Sequence, residues 1–318
     1  MTYSTGGIVQ ATDYNGFVST TPGGNINATW NTAYGQTLLP TVSTGTTVTA
    51  AQWASLNSTI SSMAAHQGTS ITARTNPTTG GVVSVLSNLG TDITNCYNNL
   101  HNASTLGSQF TNWTGAVSKT STTGAGTSSW SINYSSTISF ASVAAANYFF
   151  NSGGLLKIQF SKTSTGNSSD NMWNNFVNGI CGAIYLSSTG ASKTISGYTY
   201  TGTTKIGGSG APTILATGIG FQQLSSTPTA IYKQFDGGVY AYSSNYVLVQ
   251  ASLNGSTITI NTTWYDNGDL YGSVISGGTP TSGIIFGTAP TTLVTYFSPE
   301  TTYISNSWGS PTISSTVV

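Results

Sequence analysis

Apolar residues in the first third of the chain recur at the spacing of an α-helix. Thr49 and Gln52 have the Thr-x-x-Gln form of a capping box, in which each side chain accepts a hydrogen bond from the other residue's backbone. Gly68 is placed to end this helix, because glycine adopts the left-handed conformation at little cost. Four residues at spacings of three, four and three form the apolar face: Trp53, Leu56, Ile60 and Met63.

A second helix is predicted between residues 82 and 100, with shorter helical segments near residues 12–18 and 28–34. Gly90 and the many Asn and Thr residues have low helix propensity. These helices therefore need tertiary packing or a partner to be stable. Six residues form the apolar face of the second helix: Val82, Leu86, Leu89, Ile93, Tyr97 and Leu100.

The period of the apolar residues changes to two after a Gly/Ser/Thr-rich stretch at residues 119–129, which is typical of a linker or a long loop. Tyr246–Leu253 and Thr257–Tyr265 are predicted strands, joined by a tight turn at Gly255. A helix is expected to interrupt the strands at Asp170–Ile180. Other alternating runs begin at Trp130, Leu156 and Leu293.

Together these patterns predict an α+β protein. Residues 1–115 are expected to form a small helical N-terminal domain that docks on other subunits. Residues 116–318 are expected to form a mainly antiparallel β-sandwich.

The charge of the chain is unusual and excludes several functions. Seven acidic and seven basic residues make up only 4% of the sequence, whereas about 25% is usual for soluble domains. The surface must therefore consist largely of uncharged polar residues, which favours self-association. No basic patch is present for nucleic acid or for anionic membranes.

Targeting signals are also missing from the sequence as given. The N-terminal residues lack the charged and apolar regions of a signal peptide, and no apolar run approaches the roughly 20 residues of a membrane span. We therefore expect synthesis in a cytoplasm and no membrane insertion. In that reducing compartment Cys96 and Cys181 are expected to be buried thiols, although a disulfide or a reactive thiol is the alternative.

Catalytic patterns are weak, and we predict a protein without enzymatic activity or a cofactor. His66 and His101 have no G-x-S-x-G elbow to partner and no cysteine at zinc-site spacing. His66 is instead expected to cap the last carbonyls of its helix. A pair of carboxylates for glycoside hydrolysis would have to come from seven scattered acids: Asp13, Asp92, Asp170, Asp236, Asp266, Asp269 and Glu300.

Two further ligand sites are candidates. Asp266 and Asp269 surround an Asn-Gly pair that could hold Ca²⁺, although the same four residues suit a turn, which is the favoured interpretation. Exposed tyrosines can stack on sugars, whereas buried ones would only fill the core. The candidates for glycan contact are Tyr198, Tyr200, Tyr240 and Tyr242.

Three segments carry a resemblance to a known class of protein. They are residues 3–15, with YSTGG leading to ATDYN, residues 48–68, from VTAAQW to HQG, and residues 148–154, YFFNSGG. Together they resemble virion structural proteins of tailed bacteriophages, most of all those of contractile-tailed phages that infect cyanobacteria.

The resemblance implies a non-enzymatic virion component, assembled in the host cytoplasm, with copies of itself and other virion proteins as partners. A tail fibre, a baseplate or another tail appendage is the expected position. The alternatives are a capsid decoration protein and a carbohydrate-binding module that recognises host surface glycans.

The residues of these segments also have a physical interpretation. The turn after Phe150 contains two glycines, which accept positive φ. We expect Trp53 to fill the core of the helical domain and the aromatic residues to anchor one side of the turn. The predicted assembly and structural residues are Trp53, His66, Tyr148, Phe149, Phe150, Asn151, Gly153 and Gly154.

Overall fold

The structure is a computed structural model. It describes residues 9–20, 25–83, 86–113, 129–164, 166, 168–237, 243–266 and 289–318. Helices dominate up to residue 98, and antiparallel strands dominate afterwards, so the predicted α+β class is confirmed.

The longest helix begins and ends where the sequence predicts. The Thr49 hydroxyl accepts a hydrogen bond from the Gln52 backbone N–H at 3.2 Å, and Gln52 Oε1 accepts one from the Thr49 N–H at 2.8 Å. Gly68 ends the helix with a φ of 70°. The five α-helices are α1 (Ala11–Val18), α2 (Ala50–Gln67), α3 (Leu86–Asn98), α4 (Val143–Asn151) and α5 (Ser168–Asn175).

Two of the predicted helical segments take a wider helical form. The residues near 28–34 form a π-helix, Ala28–Ala33, and α5 continues directly into another, Phe176–Ile180. Helix α4 was not predicted. A short 3₁₀ turn follows later in the chain at Phe221–Gln223.

The strands form two large antiparallel sheets and a separate hairpin. The five-stranded sheet has the order β1 (Leu106–Trp113), β12 (Thr291–Pro299), β3 (Leu155–Ser161), β4 (Ala183–Leu186) and β7 (Thr203–Ile206). The six-stranded sheet has the order β13 (Thr312–Val317), β2 (Trp130–Ser139), β11 (Thr257–Asp266), β10 (Tyr246–Asn254), β9 (Thr229–Phe235) and β8 (Ile214–Leu215). The hairpin pairs β5 (Lys193–Ile195) with β6 (Tyr198–Tyr200).

The two large sheets pack face to face, as in a sandwich. Phe160 of β3 contacts Trp264 of β11 edge to face, with the ring centroids 5.2 Å apart. Burial alternates along β2 and β11, so that one side of the six-stranded sheet faces this core and the other faces outward. The predicted β10–β11 hairpin is also confirmed, with Gly255 at a φ of 60°.

The helices share their hydrophobic core with the sheets. One continuous cluster of buried side chains contains Tyr14 and Trp53 from the helices together with Trp264 and Tyr296 from the strands. Strand β1 belongs to the segment predicted as helical, yet it pairs with β12. Whether residues 1–115 and 116–318 fold as separate domains therefore stays a prediction.

Candidate functional site

A tight turn after α4 carries the second half of the YFFNSGG segment. The Gly153 and Gly154 N–H groups donate to the carbonyls of Phe150 and Phe149, at 3.2 and 2.9 Å. Gly153 has a φ of 90°, and a Cβ added there would lie 2.6 Å from the Cβ of Ala103. Glycine is therefore required at residue 153 both for its backbone conformation and for its close approach to the neighbouring chain.

His66, in the last turn of α2, connects this helix to that turn. Its ring is buried, and Nε2 lies 3.0 Å from the backbone carbonyl oxygen of Ser152. Because a carbonyl can only accept, Nε2 carries the proton and donates. The expectation that His66 caps its own helix was wrong, because the Gly68 N–H donates to the carbonyls of Ala64 and Ala65 instead. Burial lowers the pKa of His66, which favours the neutral ring.

Gln67, next to His66, holds the π-helix segment in place. Its side-chain amide donates to the hydroxyl of Tyr34 at 2.8 Å and to the carbonyl of Cys96 at 2.9 Å. The Tyr34 hydroxyl in turn donates to the carbonyl of Leu100 at 2.7 Å. Burial raises the pKa of Tyr34, so the hydroxyl stays protonated and acts as a donor in this buried network.

Two more amide side chains connect the helical region to the sandwich. Asn151 Nδ2 donates to the carbonyl of Ala33 at 3.2 Å, and Asn151 Oδ1 accepts from Gln222 at 2.9 Å. Gln36 exchanges two hydrogen bonds with the backbone of Ser305, at 2.8 and 2.9 Å. We call the contacts formed by Gln36, His66, Asn151 and Ser152 the helix–sandwich junction.

The predicted assembly residues divide between this junction and the hydrophobic core. Trp53 lies in the core of the helices, edge to face with Tyr14 and Phe17 at centroid distances of 5.4 and 6.2 Å. Phe150 stacks on Phe221 at 4.3 Å. Phe149 is buried in the same core, and Tyr148 is half-buried beside Gly35.

Sequence reasoning missed Gln36 and Gln67, because no local pattern distinguishes them from other polar residues.

A second surface is the outward side of three strands of the six-stranded sheet, β13, β2 and β11, where most positions carry short uncharged side chains. Thr263 donates to Asn133 Oδ1 at 2.8 Å, and the hydroxyls of Thr137 and Ser314 lie 2.6 Å apart. Eleven outward positions on three adjacent strands form what we call the hydroxyl face: Asn133, Ser135, Thr137, Ser139, Thr257, Thr259, Asn261, Thr263, Thr312, Ser314 and Thr316.

Aromatic residues adjoin one end of the hydroxyl face. Tyr246 stacks on its cross-strand neighbour Tyr265 at 4.8 Å, and Lys233 Nζ lies 4.0 Å from the centroid of the Tyr246 ring. Two of the predicted glycan-contact tyrosines, Tyr198 and Tyr200, lie instead on the β5–β6 hairpin. Tyr198 is exposed, whereas Tyr200 is buried. Tyr240 and Tyr242 lie outside the described residues.

Most of the described acids have structural partners. Asp13 accepts from the Gln10 backbone N–H at the start of α1, and Asp92 forms a buried ion pair with Arg74. Asp266 is buried at the end of β11, and its predicted Ca²⁺ partner Asp269 is not among the described residues. Within the described ranges, no three His, Cys, Asp or Glu side chains are grouped as metal ligands.

The two cysteines, Cys96 and Cys181, are free thiols, and both are buried.

None of the helices in the described part of the chain has the length and apolar character needed to cross a membrane.

Comparison with known proteins gives no assignment. The chain matches no protein-family model, no curated protein and no solved structure. Its function must therefore be inferred from its residues and their geometry.

Proposed function

We propose that the protein is a non-enzymatic structural component of a phage virion, in a tail fibre, a baseplate or another tail appendage. The hydroxyl face carries the proposal. Its eleven residues include no charge and no large apolar side chain. Such a surface costs less to desolvate than a charged one, provided that its hydroxyls exchange water for hydrogen bonds to a neighbouring subunit. The resemblance of residues 3–15, 48–68 and 148–154 to virion proteins adds the phage context.

The helix–sandwich junction supports a mechanical role. A shared hydrophobic core and the buried hydrogen bonds of His66 and Asn151 couple the helices to the sandwich. Such coupling between the helices and the sandwich suits a subunit that has to transmit force. In the proposed particle, the helices dock on other virion proteins and the sandwich projects outward.

The arrangement of the acids supports a role without catalysis. Asp13 caps a helix, and Asp92 neutralises Arg74. Hydrolysis of a glycoside would require two carboxyl groups on either side of a cleft.

The first experiment is light scattering of the purified protein, with negative-stain images of the same sample. We expect a closed oligomer or a filament. Thr259→Lys, opposite Thr137 on the hydroxyl face, should shift the protein towards monomers, because each contact would bury an unpaired charge. Thr44→Lys, on an exposed turn outside the strands, is the matched control and should leave the assembly unchanged.

Position in the particle requires a second measurement. Immunogold labelling of purified phage should mark the tail, and mass spectrometry should detect the chain in the same particles. Labelling of the head would support the capsid decoration alternative. A monomeric protein that is also absent from the particles would overturn the proposal.

A further inference from the structure

A cleft of about 610 Å³ opens at the edge of the five-stranded sheet. Strands β1 and β12 form one wall, and the segment of residues 306–311 forms the other. Its volume is in the usual range for small-molecule sites, about 300–1,000 Å³. Its lining includes Phe110, Tyr296, Ser298, Glu300 and Ser310.

Phe110 provides a rigid aromatic platform in this cleft. Its ring stacks on that of its cross-strand partner Tyr296, with the centroids 4.6 Å apart and the planes inclined by 21°. Tyr296 is itself fixed, because it is buried and its hydroxyl donates to the carbonyl of Pro311 at 2.9 Å. Phe110 is nevertheless 44% exposed. Because Tyr296 covers one face of the ring, the exposed area belongs to the opposite face and the edge.

Glu300 provides an oriented acceptor in the same cleft. Its Oε1 accepts hydrogen bonds from the backbone N–H of Thr302, at 2.6 Å, and from the Thr302 hydroxyl. These two hydrogen bonds hold the carboxylate in one orientation. Its second oxygen, Oε2, receives no hydrogen bond from the described residues. Glu300 also forms no ion pair with them, since the one ion pair among the described residues joins Arg74 and Asp92.

Hydroxyl groups complete the lining. Ser298 Oγ accepts from Trp308 Nε1 at 3.0 Å, so its own proton remains available for donation. Ser108 and Ser310 are exposed on the same walls. Such groups both donate and accept, which is what a ligand with many hydroxyls requires, whereas a guanidinium or an ammonium needs acceptors only.

We infer that this cleft binds a neutral saccharide, with the apolar face of a sugar ring on Phe110 and two adjacent sugar hydroxyls donating to Glu300. Stacking of a ring on an aromatic face and a charge-assisted hydrogen bond are the two favourable contributions. The negative charge of Glu300 disfavours acidic sugars. This activity goes beyond the proposed assembly role and does not depend on it.

Saturation-transfer NMR with a panel of neutral and acidic oligosaccharides tests the inference on the full chain. We expect weak binding of at least one neutral saccharide. Its affinity, from titration, should fall at least tenfold in Phe110→Ala and about five- to tenfold in Glu300→Gln, which keeps the shape but loses the charge. Val143→Ala shortens an exposed apolar side chain of helix α4, which does not line the cleft, and should leave the affinity unchanged.

Circular dichroism and thermal melting should show that all three variants are folded. Failure of every saccharide to bind, or binding that Phe110→Ala does not alter, would overturn the inference. So would tighter binding of an arginine peptide that competes with the sugar and is lost in Glu300→Gln, because the cleft would then be a cation site. The oligomeric state of the Phe110 and Glu300 variants should stay that of the wild type, so this test and the assembly test can fail independently.

Discussion

The Nε2 atom of His66 lies 3.0 Å from the carbonyl oxygen of Ser152, a residue 86 positions later in the chain. The pair connects the end of α2 to the turn after α4, and both residues are almost fully buried. Protonation of His66 at Nδ1 would place a charge where no described residue provides an acceptor. Burial therefore favours the neutral imidazole and lowers the pKa of His66, although the hydrogen bond to Ser152 and the charge of Glu300 oppose this effect.

The protein should lose stability in mild acid. Burial lowers the pKa of both histidines, and that of His101 falls from 6.5 to about 4. Between pH 6.5 and about pH 4, His101 binds a proton in the unfolded chain but not in the native chain. The free energy of unfolding therefore falls as the pH falls. From pH 7 to pH 5 the contribution of His101 is about 2 kcal/mol.

Urea unfolding at the two pH values measures this loss. In His101→Asn this histidine no longer contributes, so the free energy of unfolding should differ less between pH 7 and pH 5. An identical difference between pH 7 and pH 5 in the wild type and in this variant would show that His101 is not buried in its neutral form.

Gly153→Ala should destabilise the turn after α4. The new Cβ would meet Ala103 at 2.6 Å, and φ is 90°. We expect a loss of about 2–4 kcal/mol in the free energy of unfolding, from backbone strain and overpacking together. Gly197→Ala is the matched control, because its φ is 79° but no atom lies within 4 Å of the new Cβ. That variant should lose only about 1 kcal/mol. Equal losses in the two variants would contradict the close contact with Ala103.

The buried ion pair of Arg74 and Asp92 should respond differently to single and double substitution. Both side chains are less than a tenth exposed. Arg74→Met leaves a buried carboxylate without its counterion and should cost about 3–5 kcal/mol. Arg74→Met combined with Asp92→Leu should cost less than Arg74→Met alone. Denaturant melts of the wild type and the two variants test this order, and a double variant as unstable as the single one would refute it.

The two thiols should be inert in the native protein. Burial raises the pKa of Cys96 to about 12 and also raises that of Cys181. Since only the thiolate reacts, Ellman's reagent at pH 8 should label neither residue before unfolding and both afterwards. Rapid release of one equivalent from the folded chain would show that one of the two is accessible.

Local sequence signals predicted the elements that local interactions determine. Helix α2 begins at the Thr49 capping box, and the β10–β11 hairpin turns at Gly255. Strand β1 was not predicted, because its apolar and polar residues do not alternate strictly. Its partner β12 also lies about 180 residues later in the chain, so no local signal indicates the pairing. Helix α4 was not predicted, because the periodicity of a short and largely apolar segment does not distinguish a helix from a buried strand.

The candidate sites were less predictable, because residues distant in sequence form them. Tyr198 and Tyr200 were grouped by proximity along the chain, although one faces solvent and the other the core. Phe110 and Glu300 share a cleft only because β1 pairs with β12. The spacing of residues along a single sequence cannot predict that these two side chains lie in the same cleft.

The order of the strands also determines when the subunit can be complete. Strand β12 lies between β1 and β3, and residues 291–299 are synthesised long after both neighbours. Until residues 291–299 leave the ribosome, the edges of β1 and β3 that pair with β12 stay open. Strand β2 likewise has no partner until β11 and β13 have been synthesised. Open edges pair with other chains. A nascent chain of this topology therefore exposes these edges for longer than a chain of sequential hairpins would, and the sandwich is complete only after residues 312–317 have been synthesised.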